Sequence, residues 1–283
     1  MGKGKTLYVS DLDGTLLQPD SRLSDTTLSI LNRLISEGAL FTIATARTPA
    51  TVASIIDGLD LRLPAIVMTG TALWDKRDNS YSNVHYMNDE AVKELVGIYR
   101  RTDFPTFLYT LRQNMIHIYH LGPLSGIEKE FIEARRYNFA KTLHIPADGN
   151  SELPEWLGDT VLFYGMQPEV KAAETFALTS EVENVRAQKY HDFYGPEIGI
   201  LEAFSPLSTK ANAIRELAGK IGAERIVAFG DNLNDMPMLE LADVGVAMEN
   251  GVEEAKAVAD IVIGRNTEDA VAKFILNDME TES

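Results

Sequence analysis

Thr6-Leu7-Tyr8-Val9-Ser10-Asp11-Leu12-Asp13-Gly14-Thr15 is the stretch on which the reading of this chain turns. Leu7, Tyr8 and Val9 are apolar at successive positions, as in a short strand buried on both faces, and the run ends in two carboxylates flanking a leucine. Strands of that kind belong to parallel sheets covered by helices, and in open sheets ligands bind beyond the carboxyl ends of the strands. Asp11 and Asp13 stand at that edge. A carboxylate there can attack phosphorus in line where a cation neutralises the repulsion between two anions. A second carboxylate two residues on can protonate the leaving oxygen and later deprotonate an attacking water. Gly14 permits the tight turn that puts both groups over one site. Taken alone, the same residues also suit an acidic turn that merely ends a strand.

Working outward, Ser24 suits an N-cap, with a helix to about Ser36 that gathers Leu28, Leu31, Leu34 and Ile35 on one face and stops at Gly38. A strand is expected from Leu40 to Ala44, ending in Thr45-Ala46-Arg47. A helix follows from about Pro49, and a third strand over Ala65 to Met68 runs into Thr69-Gly70. Strand, helix, strand, helix, strand at this spacing predicts a parallel sheet with right-handed crossovers. From about Ser82 to Phe204 the rhythm loosens. Strands are expected over Thr106 to Tyr109, Met115 to Tyr119 and Thr160 to Tyr164, and helices over Asp89 to Arg101, Gly126 to Tyr137 and Pro168 to Thr179. Regular alternation returns near Thr209 with a helix to about Lys220. After it come a strand at Ile226 to Phe229, a helix at Met236 to Leu241, short buried strands at Val244 to Ala247 and Ile261 to Ile263, and a closing helix at Glu268 to Ile275. The fold class is α/β: a doubly wound parallel-sheet core made of residues 1–81 and 205–283, with an α/β domain inserted at 82–204.

Three further signals fall at or near the same sheet edge. Gly230-Asp231-Asn232-Leu233-Asn234-Asp235 offers hard oxygen ligands of the kind Mg²⁺ prefers, and its spacing does not fit an EF-hand. A solvated turn, or an N-cap supplied by Asn234 or Asp235 to the helix near Met236, is the plainer alternative. Lys210 lies in the first turn of a helix capped by Ser208 or Thr209, where a cation opposes the helix dipole by about 0.3–1 kcal/mol and a bound phosphate reverses that penalty. Thr45 places a hydroxyl at the end of the second strand. The convergence of four signals on one edge carries more weight than any one of them.

Composition narrows the partners. A formal net charge of −16 and a pI near 4.7 argue against nucleic acid, whose phosphates are held by clustered Lys and Arg. The absence of cysteine excludes disulfides, thiolate zinc sites and cysteine nucleophiles. No apolar run reaches the roughly 18 residues that a membrane span needs. Gly4-Lys5-Thr6 lacks the earlier glycine and the preceding strand of a P-loop, and Met1-Gly2 with Thr6 fits only the loose N-myristoylation pattern. Both read as a solvated lead-in. The histidines, His85, His117, His120, His144 and His191, all fall in the middle region without HExxH spacing, and read as surface or packed residues. His191-Asp192 lacks partner histidines for a metal-dependent HD site, and Arg135-Arg136 reads as a solvated helix face.

Together these residues resemble the haloacid dehalogenase (HAD) superfamily, in its Cof-type sugar-phosphatase branch, whose Rossmann-like core carries a large α/β cap between its second and third motifs. Asp11-Leu12-Asp13-Gly14-Thr15 is similar to motif one, Thr45 to motif two, Lys210 to motif three, and Gly230 to Asp235 to motif four. The resemblance implies a phosphoric monoester hydrolase, with Asp11 as nucleophile and Asp13 as general acid/base. It implies Mg²⁺ held by the Asp11 carboxylate, the Asp13 backbone carbonyl and Asp231, with Asp235 orienting a metal-bound water. Thr45, the Ala46 backbone, Lys210, Asn234 and the Leu12 N–H are then expected to hold the phosphate. Two positions depart from the family pattern: Ala46 stands where Gly is usual, and Thr69 stands where Asn usually precedes Gly70. The expected substrate is a small phosphorylated metabolite, by analogy a sugar phosphate, chosen by the cap. A cytoplasmic monomer without nucleic-acid or membrane partners is the accompanying expectation. A phosphotransferase of the phosphomannomutase type, which returns the phosphoryl group to a sugar, and a non-catalytic phosphate-binding module share the same motifs. A receiver domain shares the acidic cluster and the lysine but does not account for the insertion.

Overall fold

The computed structural model describes residues 5–135, 139–191 and 195–281. The N-terminal lead-in up to Gly4, Arg136 and Tyr137, and Asp192 lie outside these, so the readings placed on them go no further. The chain divides into two units, one formed by the residues up to Val84 together with those from Ser208 onward, the other by His85–Leu207.

The first unit opens with β1 (Thr6–Ser10), α1 (Asp25–Ser36), β2 (Leu40–Ile43), the single turn α2 (Pro49–Val52), β3 (Ala65–Val67) and the hairpin β4 (Ala72–Asp75) and β5 (Ser80–Ser82). The second unit holds α3 (Asp89–Arg101), β6 (Phe107–Arg112), β7 (Met115–His120), α4 (Gly126–Arg135), β8 (Lys141–Leu143), β9 (Thr160–Pro168), α5 (Glu169–Thr179), β10 (Arg186–Tyr190) and β11 (Ile198–Phe204). The first unit resumes with α6 (Lys210–Ile221), β12 (Arg225–Gly230), α7 (Met236–Leu241), β13 (Val244–Met248), α8 (Glu253–Val258), β14 (Ile261–Ile263) and α9 (Ala270–Thr281).

Its main sheet runs in the order β14-β13-β12-β1-β2, and every pairing is parallel. β1 is flanked by β12 from the end of the chain and β2 from its start, so Leu7 and Val9 are fully buried. The third expected strand, β3, meets this sheet only through one parallel bridge, Ala44 to Ile66. It pairs instead with the β4–β5 hairpin, which the sequence reading did not include. α1 begins where the Ser24 hydroxyl accepts the Thr27 N–H at 2.9 Å and buries Leu31, Leu34 and Ile35. It ends at Gly38 (φ 106°), where Ala39 N–H reaches back to the Leu34 carbonyl at 2.9 Å. One expectation is corrected: β14 is not buried. Ile261 and Val262 are 40% and 50% exposed because β14 is the edge strand, paired on one side only with β13.

The second unit is built on a six-stranded sheet, β10-β11-β9-β6-β7-β8, antiparallel except between β7 and β8. α3 and α5 pack on the face that presents Leu108, Tyr119, Phe163 and Leu201. α4 lies on the other, with the Phe131 ring 5.4 Å from that of Phe107 and 5.5 Å from that of Tyr164. Of the histidines, His120 is fully buried: Nδ1 donates to the Gly122 carbonyl at 2.8 Å and Nε2 lies 3.3 Å from Oε1 of buried Glu128. Among the described residues no helix is long and apolar enough to cross a membrane.

Asp278 ties α9 to the sheet, accepting Tyr8 Oη at 2.7 Å and Arg225 Nη1 at 2.6 Å. Partial burial works to raise its carboxyl, but the bonds from Arg225 and Tyr8 and the charge of Arg225 outweigh it and hold the group below its ordinary value of 3.8. A carboxyl held low in the folded state stabilises above its unfolded value and loses that contribution as pH falls through the folded value. Asp278→Asn should therefore cost about 1–2 kcal/mol at pH 7, with the gap to wild type closing below pH ~4. Urea midpoints at both pH values check this; a variant as stable as wild type at neutral pH contradicts it. Thr69, the departure from the family's Asn, sits in left-handed backbone (φ 57°, ψ 25°), which penalises a β-branched residue and suits Asn. Thr69→Asn should add about 1 kcal/mol in the same measurement, and a loss of stability contradicts the strain.

Candidate active site

Asp11 leaves β1 with its N–H on the Phe229 carbonyl of β12 at 2.9 Å, and its side chain is buried. The chain then turns through Asp13 and Gly14 (φ 81°) and closes where Leu17 N–H meets the Leu12 carbonyl at 2.9 Å. Gly14 is required on two counts: the backbone is left-handed, and a Cβ there would stand 2.3 Å from Asp231 Oδ2. The close approach lets Thr15 Oγ1 donate to Asp231 Oδ1 at 2.9 Å. Asn250, beyond β13, donates its amide to the Gly14 carbonyl at 2.7 Å. The loops after β1, β12 and β13 are thereby tied into one edge.

Lys210 is the first residue of α6. Of its two candidate caps, Thr209 serves, accepting the Asn212 N–H at 3.0 Å. Gly70 (φ 94°) lets the chain pass so near that a Cβ would fall 2.2 Å from the Thr209 carbonyl oxygen. Lys210 Nζ, 2% exposed, donates to Asp11 Oδ1 at 2.5 Å and to Asp235 Oδ1 at 2.6 Å. Asp235 is fully buried, and its Oδ2 accepts the N–H groups of Asp231 and Asn232 at 3.0 and 3.1 Å. That geometry corrects the alternative of a cap for α7: the carboxylate turns back into its own loop.

Asp11, Asp231 and Asp235 each bring an oxygen within 4.8 Å of the others. Burial pushes the Asp11 carboxyl up to about 8, against the pull of Lys210 and with Asp235 and Asp231 adding to the rise. Burial, then repulsion from Asp235, raises Asp231 to about 6. Burial alone would lower Lys210, but the Asp11 and Asp235 carboxylates hold its ammonium above the ordinary lysine range. With all groups ionised the cluster carries −2, three carboxylates against one ammonium. That excess, presented by hard oxygens, fits a divalent cation such as Mg²⁺. Asp235 has both oxygens in hydrogen bonds, whereas Asp11 and Asp231 each have one so engaged, by Lys210 and Thr15 respectively.

Of the remaining expected residues, Thr45 is buried, and its hydroxyl accepts the Arg47 N–H at 3.1 Å. Leu12 is buried beside Asp11, and Ala46 is exposed beside Thr45. Asn234 is exposed in the turn Leu233–Asp235 and, among the described residues, makes no hydrogen bond to the cluster. Direct contacts thus join Asp11, Lys210, Asp231 and Asp235. The sequence reading missed Thr15 and Asn250, and above all Arg47, whose Nε and Nη2 bind the two oxygens of Asp13 at 2.7 and 2.6 Å. An arginine two residues beyond Thr45, in a chain this acidic, was the available signal.

Comparison with known proteins agrees with this picture. The haloacid dehalogenase-like hydrolases match residues 8–275. A 5-amino-6-(5-phospho-D-ribitylamino)uracil phosphatase of Bacillus subtilis (YitU) is 28% identical over 95% of this chain and 96% of its own length. A pyridoxal phosphate phosphatase of Escherichia coli (YbhA) is 28% identical over 95% and 97%. Among solved structures, a HAD-superfamily phosphatase from Bacteroides thetaiotaomicron superposes with a TM-score of 0.74 at 20% identity, over 96% of this chain and 94% of that one. A HAD subclass IIB sugar phosphatase does so with 0.69 at 20%, over 96% and 98%. At that identity the structures speak for the fold alone. A carboxylate-lined sheet edge and a family match across nearly the whole chain lead to one conclusion: the protein belongs to the haloacid dehalogenase-like hydrolases.

Proposed function

We propose that the protein is a Mg²⁺-dependent phosphatase of small phosphorylated metabolites that works through an aspartyl-phosphate on Asp11. The observation that carries this reading is the buried contact of Lys210 with both Asp11 and Asp235, beside Asp231. Lys210 meets Oδ1 of Asp11, the oxygen assigned to the ion as well, and among the described residues Oδ2 has no hydrogen-bond partner, which leaves it for attack.

In the first step Oδ2 forms a bond to phosphorus while the bond to the ester oxygen breaks, and that oxygen takes the proton of the Asp13 carboxyl. In the second, the Asp13 carboxylate takes a proton from water, the hydroxyl bonds to phosphorus, and the bond to Asp11 breaks. Inorganic phosphate leaves, and both aspartates return to their starting states. The phosphoryl oxygens are assigned to Lys210, the Thr45 hydroxyl, the Leu12 and Ala46 N–H groups and Asn234. Asp11, Asp231 and the Asp13 carbonyl are assigned to Mg²⁺, with Asp235 as the support behind them. When bound, the ion supplies the positive charge that lets a carboxylate approach a phosphate dianion.

The unit His85–Leu207 is assigned substrate choice, and the work is assigned to a cytoplasmic monomer. The relatives named above act on a ribitylaminouracil phosphate and on pyridoxal phosphate. Phosphorylated heterocycles therefore join sugar phosphates as the substrate class to screen.

Phosphate release from p-nitrophenyl phosphate and from a panel of such metabolites should require Mg²⁺, stop with EDTA, and fall at least ~10³-fold in Asp11→Asn. Turnover indifferent to EDTA and to Asp11→Asn contradicts the mechanism.

A further inference from the structure

Arg47 is fixed along its backbone before its side chain is considered. Its N–H donates to Thr45 Oγ1 at 3.1 Å, and its carbonyl accepts the N–H of Met68 at 3.0 Å. From there the guanidinium meets Asp13 with two parallel bonds, Nε to Oδ2 at 2.7 Å and Nη2 to Oδ1 at 2.6 Å. A planar fork on both oxygens sets the plane and the direction of the carboxylate, which a lysine's point charge cannot do. Among the described residues Asp13 has no other side-chain hydrogen bond, so its orientation rests on Arg47. The pair is a poor brace for the fold: the two side chains are 29% and 50% exposed, and ion pairs at such exposure contribute little to stability.

We propose that Arg47 is the positioning residue of Asp13, holding the acid/base in its working direction from the same backbone segment that presents Thr45. This rests on the reading of Asp13 given above. Because both carboxylate oxygens are engaged, one bond of the fork opens for the proton transfer while the other keeps the direction. The proton itself passes between Asp13 and the leaving oxygen, or between water and Asp13, and Arg47 gains or loses none.

The test compares first-turnover rates on two esters, with folding of each variant checked by circular dichroism. p-Nitrophenolate leaves without needing a proton, whereas the alkoxide of glycerol phosphate needs one. Arg47→Ala should lose about 10–100-fold more rate on the alkyl ester than on the aryl ester, as loss of a general acid does, with KM changed less than about threefold. Asp13→Asn should show the same selectivity, and the double variant should be no slower than Asp13→Asn alone, since both changes remove one function. Arg47→Lys, which keeps the charge and most of the packing but not the fork, should remain selectively slow. Equal losses on both esters, losses that multiply in the double variant, or full recovery in Arg47→Lys would overturn the proposal. Wild-type rates in Asp13→Asn would instead remove the acid/base reading on which it rests.

Discussion

The ammonium of Lys210, buried between Asp11 and Asp235, is the interaction around which this site is organised. Charges taken out of water cost several kcal/mol each unless they are paired and hydrogen-bonded, so such a group has to be met by partners already in place. Here the partners come from widely separated parts of the chain, Asp11 and Lys210 being 199 positions apart. The parallel pairing of β1 with β12 brings the first and last parts of the chain side by side, and the close approach of Gly70 to Thr209 seats the start of α6 against that edge. Positions with no Cβ occur where backbone must come nearest, at Gly14 against Asp231 and at Gly70 against Thr209.

One ammonium does not balance the carboxylates around it. The remaining negative charge raises Asp11 and Asp231 together with burial, and in a chain of net charge −16 that local excess calls for a counter-charge. A divalent ion bound there would join Lys210 and nearby N–H groups in supplying positive potential at one point of an otherwise acidic chain, which is what the proposed phosphate site needs. The arrangement also separates two aspartates that lie two residues apart. Asp11 is buried on Lys210, and Asp13 is half-exposed on Arg47. Different surroundings for chemically identical groups are what a nucleophile and an acid/base require.

Much of this was legible in the sequence because it is local. The strand ending in Asp11-Leu12-Asp13-Gly14 and the loop from Gly230 to Asp235 carry their chemistry within a few residues, and the helix Asp89–Arg101 lies at the bounds read from its residues. What escaped depends on partners distant in the chain. Arg186–Tyr190 is polar on both faces and is a strand only because Ile198–Phe204 pairs with it. The β4–β5 hairpin hides in a stretch that looks like a domain boundary. Ile261–Ile263 reads as buried from its residues alone, yet its place at the edge of the sheet leaves it open. Arg47 names no chemistry until the fold brings it 2.6 Å from Asp13.

In the proposed mechanism Asp11 itself carries the phosphoryl group. Acid-quenching the enzyme during turnover, reducing any acyl phosphate with borohydride and mapping the peptides reads this directly. Asp11 should be converted to homoserine, dependent on both substrate and Mg²⁺, with Asp13 and Asp231 unmodified. Turnover without reduction at Asp11, or reduction at another carboxylate, would contradict it.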